Sequence, residues 1–322
     1  MNFVCPECKK ALKQKGDKLV CEENHVFSIK NGIYNLLPQK LNNITKEDAK
    51  FHSAVREEWI EINQLDEFRN FFYYNQVLEF LKDKSEDNST ILELGGGVGY
   101  DLLRFLKKDP KFNTYIFSDV SFDSASFASE HIGGKKIIFC SIDANKIPLP
   151  DESVDIVYMI AALHHFPNAD RALLEIYRIL RPGGYIICGL EPNRIMLNFL
   201  RFAKLPFKKI FATNKLRPAA DDVAEGFSAS DFIDFNNRYN LKIILLEPVR
   251  FLTGIIQFGL EGIFRIFKPK RRVRIPGYLD KAFLYLDRII LSYSPLKAIC
   301  WHYTVAFQKR FHQLTFPCIP PD

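Results

Sequence analysis

The sequence predicts an α/β fold on a mostly parallel sheet, with a small metal-binding segment ahead of it. Three observations carry this expectation. From residue 89 the chain alternates short apolar runs with amphipathic stretches, as strands joined by crossover helices do. The first run ends in a glycine-rich bend, "ILELGGGVGYD" over 91–101. The first forty residues hold three cysteines and a histidine at ligand spacing.

That N-terminal set is Cys5, Cys8, Cys21 and His25, spaced C-x2-C-x12-C-x3-H. Two ligands on a tight turn, a hairpin and two further ligands enclose a tetrahedral zinc ion, and three thiolates with one imidazole suit zinc by softness. So short a segment buries too little core to fold alone, so metal binding would supply the missing free energy. Four protein ligands leave no open position, which makes the expected zinc structural. A redox CxxC is the weaker reading, because no thioredoxin-like βαβ pattern surrounds it. The four ligands and the closing apolar strand "GIYNLLP" (32–38) resemble the zinc ribbon of bacterial large-subunit ribosomal-RNA guanine N1-methyltransferases and the Trm112-like zinc modules. Residues 1–38 are therefore read as a zinc ribbon.

Residues 39–88 read as a polar helical connector, with Thr45 as N-cap and Asp48 three residues on. Further along, Phe68, Phe71, Phe72, Val77, Phe80 and Leu81 fall at helical spacing, a core stripe or a cover over a ligand. Then come the strands "STILEL", "TYIFSDV", "KKIIFCSI" and "VDIVYMIAAL", with "DLLRFLKK" and "FDSASFASEH" as the intervening helices. The helix "ADRALLEIYRIL" and a turn at "RPGG" lead to the fifth strand, "YIICGL". "SASDFIDFNNRYN" is a Ser-capped helix, "LKIILLEPV" the sixth strand and "CWHYTVAFQKR" the seventh. In such a sheet, ligands bind at the C-terminal ends of the parallel strands.

Gly95, Gly97 and Gly99 let the backbone after the first strand turn sharply and approach a ligand closely. The dinucleotide pattern G-x-G-x-x-G is absent, since its third glycine would fall on Tyr100, and no G-K-[ST] of a P-loop follows. What remains is Glu93 followed by alternate glycines. With "FSDVS", "SIDANKIPLPDESVDIVYMIAALHHF" and "LLEIYRILRPGGYIIC" in order behind it, residues 91–190 resemble the class I S-adenosylmethionine-dependent methyltransferases, in particular the type 11 group that includes the quinone-biosynthesis C-methyltransferases. The resemblance implies a Rossmann-like seven-stranded sheet over 89–312 and S-adenosylmethionine as cofactor. It places Glu93 and the Gly95–Gly99 backbone at the methionine end, Asp119 on the ribose hydroxyls and Asp143 with Ala144 at the adenine. Ala161 and Leu163 would border the sulfonium. The bland alternatives are that Asp119 caps a loop and Asp143 ends a strand.

Methyl transfer needs in-line approach, exclusion of water and, for a protonated acceptor, a base. His164 and His165 in "ALHHF", and Glu191 in "GLEPNR", are the catalytic candidates; packing at the loop is the competing reading for the histidines. Cys140, Cys188, Cys300 and Cys318 show no paired spacing and read as packing residues.

Two insertions, about 194–227 and 250–299, are expected to form a lid and a cap over the substrate. From Arg194 onward there are 21 Lys and Arg against 10 Asp and Glu, whereas the residues before it hold 23 against 28. The basic half faces something anionic or is a solvated surface. Residues 251–274 end in a basic cluster, Lys268–Arg274, suited to anionic headgroups or RNA phosphates, or to a plain basic loop. No apolar leader follows Met1, and seven scattered cysteines fit a reducing compartment, so a cytoplasmic protein is expected, peripheral to a membrane in one reading. The expected function is methyl transfer to a small-molecule or lipid-linked acceptor. Ribosomal-RNA guanine methylation is the alternative, and a non-catalytic binding module the third.

Overall fold

The computed structural model describes residues 2–54, 68–204, 226–256, 259 and 276–311. Four short strands come first: β1 (Lys13–Lys15), β2 (Lys18–Val20), β3 (Val26–Lys30) and β4 (Ile33–Asn35). Helices α1 (Asn43–Ala54) and α2 (Phe68–Lys84) follow. The alternating region supplies β5 (Thr90–Leu94), α3 (Tyr100–Leu106), β6 (Thr114–Asp119), α4 (Phe122–His131), β7 (Ile137–Ser141), β8 (Val154–Ile160), α5 (Ala169–Ile179) and β9 (Leu180–Pro192). Then come α6 (Arg194–Lys204), α7 (Ala229–Arg238), β10 (Leu241–Val249), α8 (Gly277–Ser292), a one-turn helix at Ser294–Lys297 and β11 (His302–Lys309).

All eleven strands form one sheet, ordered β1-β2-β3-β4-β7-β6-β5-β8-β9-β11-β10. From β7 to β9 the pairings are parallel, and β11 runs antiparallel between β9 and β10. The seven expected strands are therefore present in a doubly wound, Rossmann-like order. Strand residues alternate between two apolar layers: Ile91, Tyr115, Ile156 and Ile187 on one face, Leu92, Ile116, Val157 and Ile186 on the other. Both layers are covered by helices, which is why these strands read as near-continuous apolar runs.

Local chemistry sets several boundaries. Ser228 caps α7 in a capping box with Asp231, as the sequence predicts. Asn168 caps α5 by accepting from the Arg171 N–H. Thr45 does not cap α1: the helix starts two residues earlier, where Asn42 Oδ1 accepts from the Ile44 N–H at 2.8 Å. On α2 the buried residues are Tyr73, Val77, Leu78 and Leu81, and Phe72 and Phe80 are half-buried. The expected turn at "RPGG" lies within β9, where the register on β8 jumps from Leu180 opposite Val154 to Tyr185 opposite Ile156. Gly183 takes φ +82° in that bulge.

The N-terminal segment is continuous with the main sheet. Tyr34 lies opposite Cys140 and Asn35 opposite Ser141 in a parallel pairing, and the Leu36 N–H continues it to the Ser141 carbonyl at 3.0 Å. Glu7, between two of the cysteines, takes Lys146 Nζ on Oε2 at 2.7 Å and the Gln39 N–H on Oε1 at 2.7 Å. Lys9 Nζ donates to the Ile147 carbonyl at 3.1 Å and pairs with Glu175 at 2.5 Å. These contacts brace the stretch after β7 from outside.

Of the expected lid, α6 is described, and the remainder up to residue 225 lies outside the described residues. The basic cluster Lys268–Arg274, Cys318 and the side chains of Phe68 and Phe71 also lie outside them. No helix among the described residues is long and apolar enough to cross a membrane.

Candidate functional site

A cavity opens where the parallel strands end. Its walls come from the bend after β5 (Leu94, Gly95, Gly97), the end of β6 (Asp119, Val120) and the stretch after β7 (Ile142–Asn145). The loop after β8 (Ala161, Ala162, His165–Pro167) supplies a fourth wall. Seven sequence candidates meet there: Gly95, Gly97, Asp119, Asp143, Ala144, Ala161 and His165.

The bend is held by its acid neighbour. Gly97 has φ +56°, and a Cβ at that position would meet nothing within 4 Å, so the bare backbone faces open space. Its N–H donates to Asp119 Oδ2 at 2.9 Å, and the Ser121 N–H donates to Oδ1 at 2.8 Å. Each carboxylate oxygen thus accepts one backbone hydrogen and keeps acceptor capacity at the cavity wall. Burial pushes the Asp119 carboxyl above its usual range, partly offset by the charge of His52 and by these two N–H groups. Asp143 caps the 3₁₀ turn Ala144–Lys146, with Oδ1 accepting from the Asn145 N–H at 2.9 Å. Ala161 takes a left-handed φ of +52° directly after β8.

Five candidates sit elsewhere. Gly99, at φ +85°, precedes α3 and packs on Ala128 and Ile132; a side chain there would push α4 off the sheet. Glu93 is fully enclosed and turns away from the cavity. Its Oε2 accepts from the Tyr115 hydroxyl at 2.5 Å, and Tyr115 in turn bonds Tyr158. Burial raises the Glu93 pKa to about 8. Glu191 and His164 are bound to each other and do not line the cavity, with Oε2 accepting from His164 Nδ1 at 2.8 Å. The same carboxylate takes the N–H groups of Ala162 and Leu163 on Oε1, at 3.1 and 3.0 Å, and that of His164 on Oε2 at 3.2 Å. It is completely buried and clamps the loop that carries His165. Leu163 is buried and off the cavity wall.

The state of Glu93 gives a pH prediction. A carboxyl titrating near 8 when folded and near 4.5 when unfolded binds more protons in the native state between those values. Its contribution to stability is complete below about 4.5 and is lost as pH rises through about 8. Thermal melts should therefore show Tm declining from pH 5 to pH 8 in wild type and less steeply in Glu93→Gln. Parallel profiles for the two proteins would contradict this.

Sequence reasoning missed one wall. Thr45, Asp48 and His52 on α1 also line the cavity. Asp48 Oδ1 lies 3.5 Å from His165 Nδ1, Oδ2 lies 3.6 Å from His52 Nε2, and Ser53 bonds Ser121 at 2.9 Å. The available signal was Asp48 and His52 at i, i+4 spacing on one helix face.

In the N-terminal segment the four expected ligands converge. Cys8 Sγ and Cys21 Sγ are 3.7 Å apart, and His25 Nδ1 is 3.5 Å from Cys5 Sγ and 3.4 Å from Cys21 Sγ. With zinc–sulfur bonds of about 2.3 Å, a tetrahedron has edges of about 3.8 Å, so the donor set matches one ion in size and chemistry.

Comparison with known proteins places this arrangement. Residues 92–188 match the family described as "Methyltransferase domain". An uncharacterized methyltransferase of Schizosaccharomyces pombe is 37% identical over 136 residues, covering 38% of this chain and 49% of that protein. A fatty-acid O-methyltransferase of Mycolicibacterium smegmatis is 31% identical over 101 residues, or 31% and 36% of the two chains. A tRNA U34 carboxymethyltransferase of Nautilia profundicola is 24% identical over 204 residues, or 58% and 67%. The chain spans about half or less of the length of the first two relatives. In fold it is similar to a chain from the complex between the Haloferax volcanii Trm112 methyltransferase activator and a methyltransferase. The TM-score is 0.51 at 16% identity, covering 81% of this chain and 98% of that one. Residues 92–188 thus match a methyltransferase domain, and they lie on a Rossmann-like sheet.

Proposed function

We propose that this protein transfers the methyl group of S-adenosylmethionine to a small-molecule or lipid-linked acceptor. The observation that carries the reading is the cavity in which the bare Gly95–Gly97 bend, Asp119 and the Asp143–Ala144 turn converge. A nucleoside suits it: the open space at Gly97 admits a ligand against backbone, and Asp119 keeps acceptor capacity for two ribose hydroxyls. Asp143 and the Ala144 backbone would hold the adenine, with Gly95 and Ala161 at the methionine end. The bound cofactor supplies an activated methyl on a sulfonium.

The chain's own residues orient the reactants, exclude water and manage a proton. Helix α1 covers the cavity. Glu191 fixes the loop after β8, and His165 is the proton acceptor for an acceptor atom that carries one, with Asp48 facing its Nδ1. Glu191 and His164 act through that loop as positioning residues. Cys5, Cys8, Cys21 and His25 hold a structural zinc ion.

The ribosomal-RNA reading drew on the N-terminal ribbon. The braced position of that segment favours an internal role, because Glu7 and Lys9 are engaged with Lys146 and Glu175 of the same chain. A labelled-methyl assay on fractionated cell extract tests the reading, with radioactivity expected in the lipid or small-molecule fraction. Label confined to RNA would replace it with the RNA reading. Absence of cofactor binding by calorimetry would leave a non-catalytic module.

A further inference from the structure

Three metal-ligating side chains meet at the cavity wall, away from the N-terminal segment. Asp48 and His52 lie one turn apart on α1, and His165 comes from the loop after β8. Their ligand atoms all fall within 4.8 Å of one another. Asp48 is the shared member: Oδ1 faces His165 Nδ1 at 3.5 Å, and Oδ2 faces His52 Nε2 at 3.6 Å. These are not hydrogen-bond distances. A carboxylate bound directly to an imidazole sits at about 2.8 Å, as Glu191 does to His164 in the same loop. The Asp48 contacts match the edge of a coordination tetrahedron instead. Zinc bonds to nitrogen and oxygen of about 2.0–2.2 Å put neighbouring ligand atoms about 3.3–3.6 Å apart.

The burial of Asp48 points the same way. The residue is 6% exposed and lines the cavity, and its Oδ1 accepts no hydrogen bond among the described residues. A carboxylate oxygen held out of water without a donor is costly unless a cation meets it. The elements that carry the three side chains are fixed independently. Ser53 Oγ bonds Ser121 Oγ at 2.9 Å and pins the end of α1. Glu191 accepts from the N–H groups of Ala162, Leu163 and His164, just ahead of His165. Neighbouring hydrogen bonds thus set the positions of the ligands, as rigid metal sites require.

We infer that Asp48, His52 and His165 bind a divalent transition-metal ion with an open position on the cavity. Two imidazoles and one carboxylate suit such an ion, and three protein ligands leave room for an exchangeable oxygen. The inference rests on the proposed methyl transfer and deepens it by naming the acceptor's class: a hydroxyl or carboxylate oxygen, placed on the ion. With Nδ1 on the ion, His165 no longer takes the proton. The ion lowers the pKa of a bound hydroxyl, whose proton passes to water, and the oxygen anion stays on the metal. A lone pair of that oxygen forms the new carbon–oxygen bond as the carbon–sulfur bond breaks, with the breaking bond's electron pair left on sulfur.

The test is metal analysis of the full chain after equilibration with micromolar free zinc and gel filtration. Wild type is expected to carry one zinc ion per chain more than Asp48→Asn, whatever the N-terminal ligands hold in both. If Asp48→Asn melts well below wild type, His52→Gln takes its place with the same expected loss. Equal zinc content in wild type and a folded variant overturns the site. The open position is read on cobalt(II)-loaded protein with acetohydroxamate, an oxygen-donor probe. The visible absorption of wild type should shift and that of Asp48→Asn should not; an unshifted wild-type spectrum overturns the oxygen acceptor. Calorimetry with S-adenosylmethionine keeps the two readings apart. Cofactor binding with equal zinc content refutes the metal site alone, and absent cofactor binding refutes the proposed function.

Discussion

Replacing Asp119 with alanine is expected to weaken S-adenosylmethionine binding by about 100-fold or more, read as Kd by calorimetry. The magnitude follows from two losses. The carboxylate would accept from two ribose hydroxyls, and hydrogen bonds to a charged group contribute about 1.5–3 kcal/mol each, so losing them costs about 3 kcal/mol at least. The same carboxylate holds the Gly97 and Ser121 N–H groups, so alanine also loosens the bend that the ligand must approach. Asp119→Asn separates the two effects. One amide oxygen keeps part of the acceptor set at the same shape, and an intermediate Kd is expected. A folded alanine variant that binds within threefold of wild type would remove Asp119 from the cofactor site.

The second large effect belongs to the N-terminal segment. Cys8→Ser is expected to lose the metal ion and to lower Tm by roughly 10 °C, because loss of a ligand would unfold a segment whose folding is expected to draw several kcal/mol from the metal. Cofactor affinity should fall with it. Glu7, beside Cys8, ties Lys146, and the strand that the ribbon closes on pairs with β7. Both contacts hold the stretch running to Asp143 and Ala144, so metal and cofactor binding are expected to be coupled, each raising the affinity for the other. Glu7→Gln keeps all four ligands and weakens the tie, so metal content should stay at one per chain while Kd for the cofactor rises severalfold. A metal-free Cys8→Ser protein with wild-type melting and affinity would refute the coupling.

The contrast between Asp119 and Glu93 shows which site features can be seen in a sequence. Both acids end or nearly end a strand, and the resemblance places both at the ligand by motif position. Asp119 is the last residue of β6 and reaches the open edge. Glu93 is one residue short of the end of β5, where the pleat directs it into the layer that holds Tyr115 and Tyr158. His164 and His165 divide in the same way: one imidazole goes to Glu191 and its neighbour to the cavity. Adjacent residues on a tight turn point apart, and the direction of each depends on which distant carboxylate is present.

Periodicity and spacing determined the elements of this protein. Apolar runs of strand length, the Ser228 cap and the C-x2-C-x12-C-x3-H ligand set are properties of neighbouring residues, so they were legible before any tertiary structure. The tertiary structure decided what depends on contacts between residues far apart in the chain. It made the N-terminal segment part of the sheet, set α1 against the cavity and turned Glu191 into a clamp. The reason is that local pattern sets which face of an element is apolar, whereas the packing of the whole chain sets what that face meets.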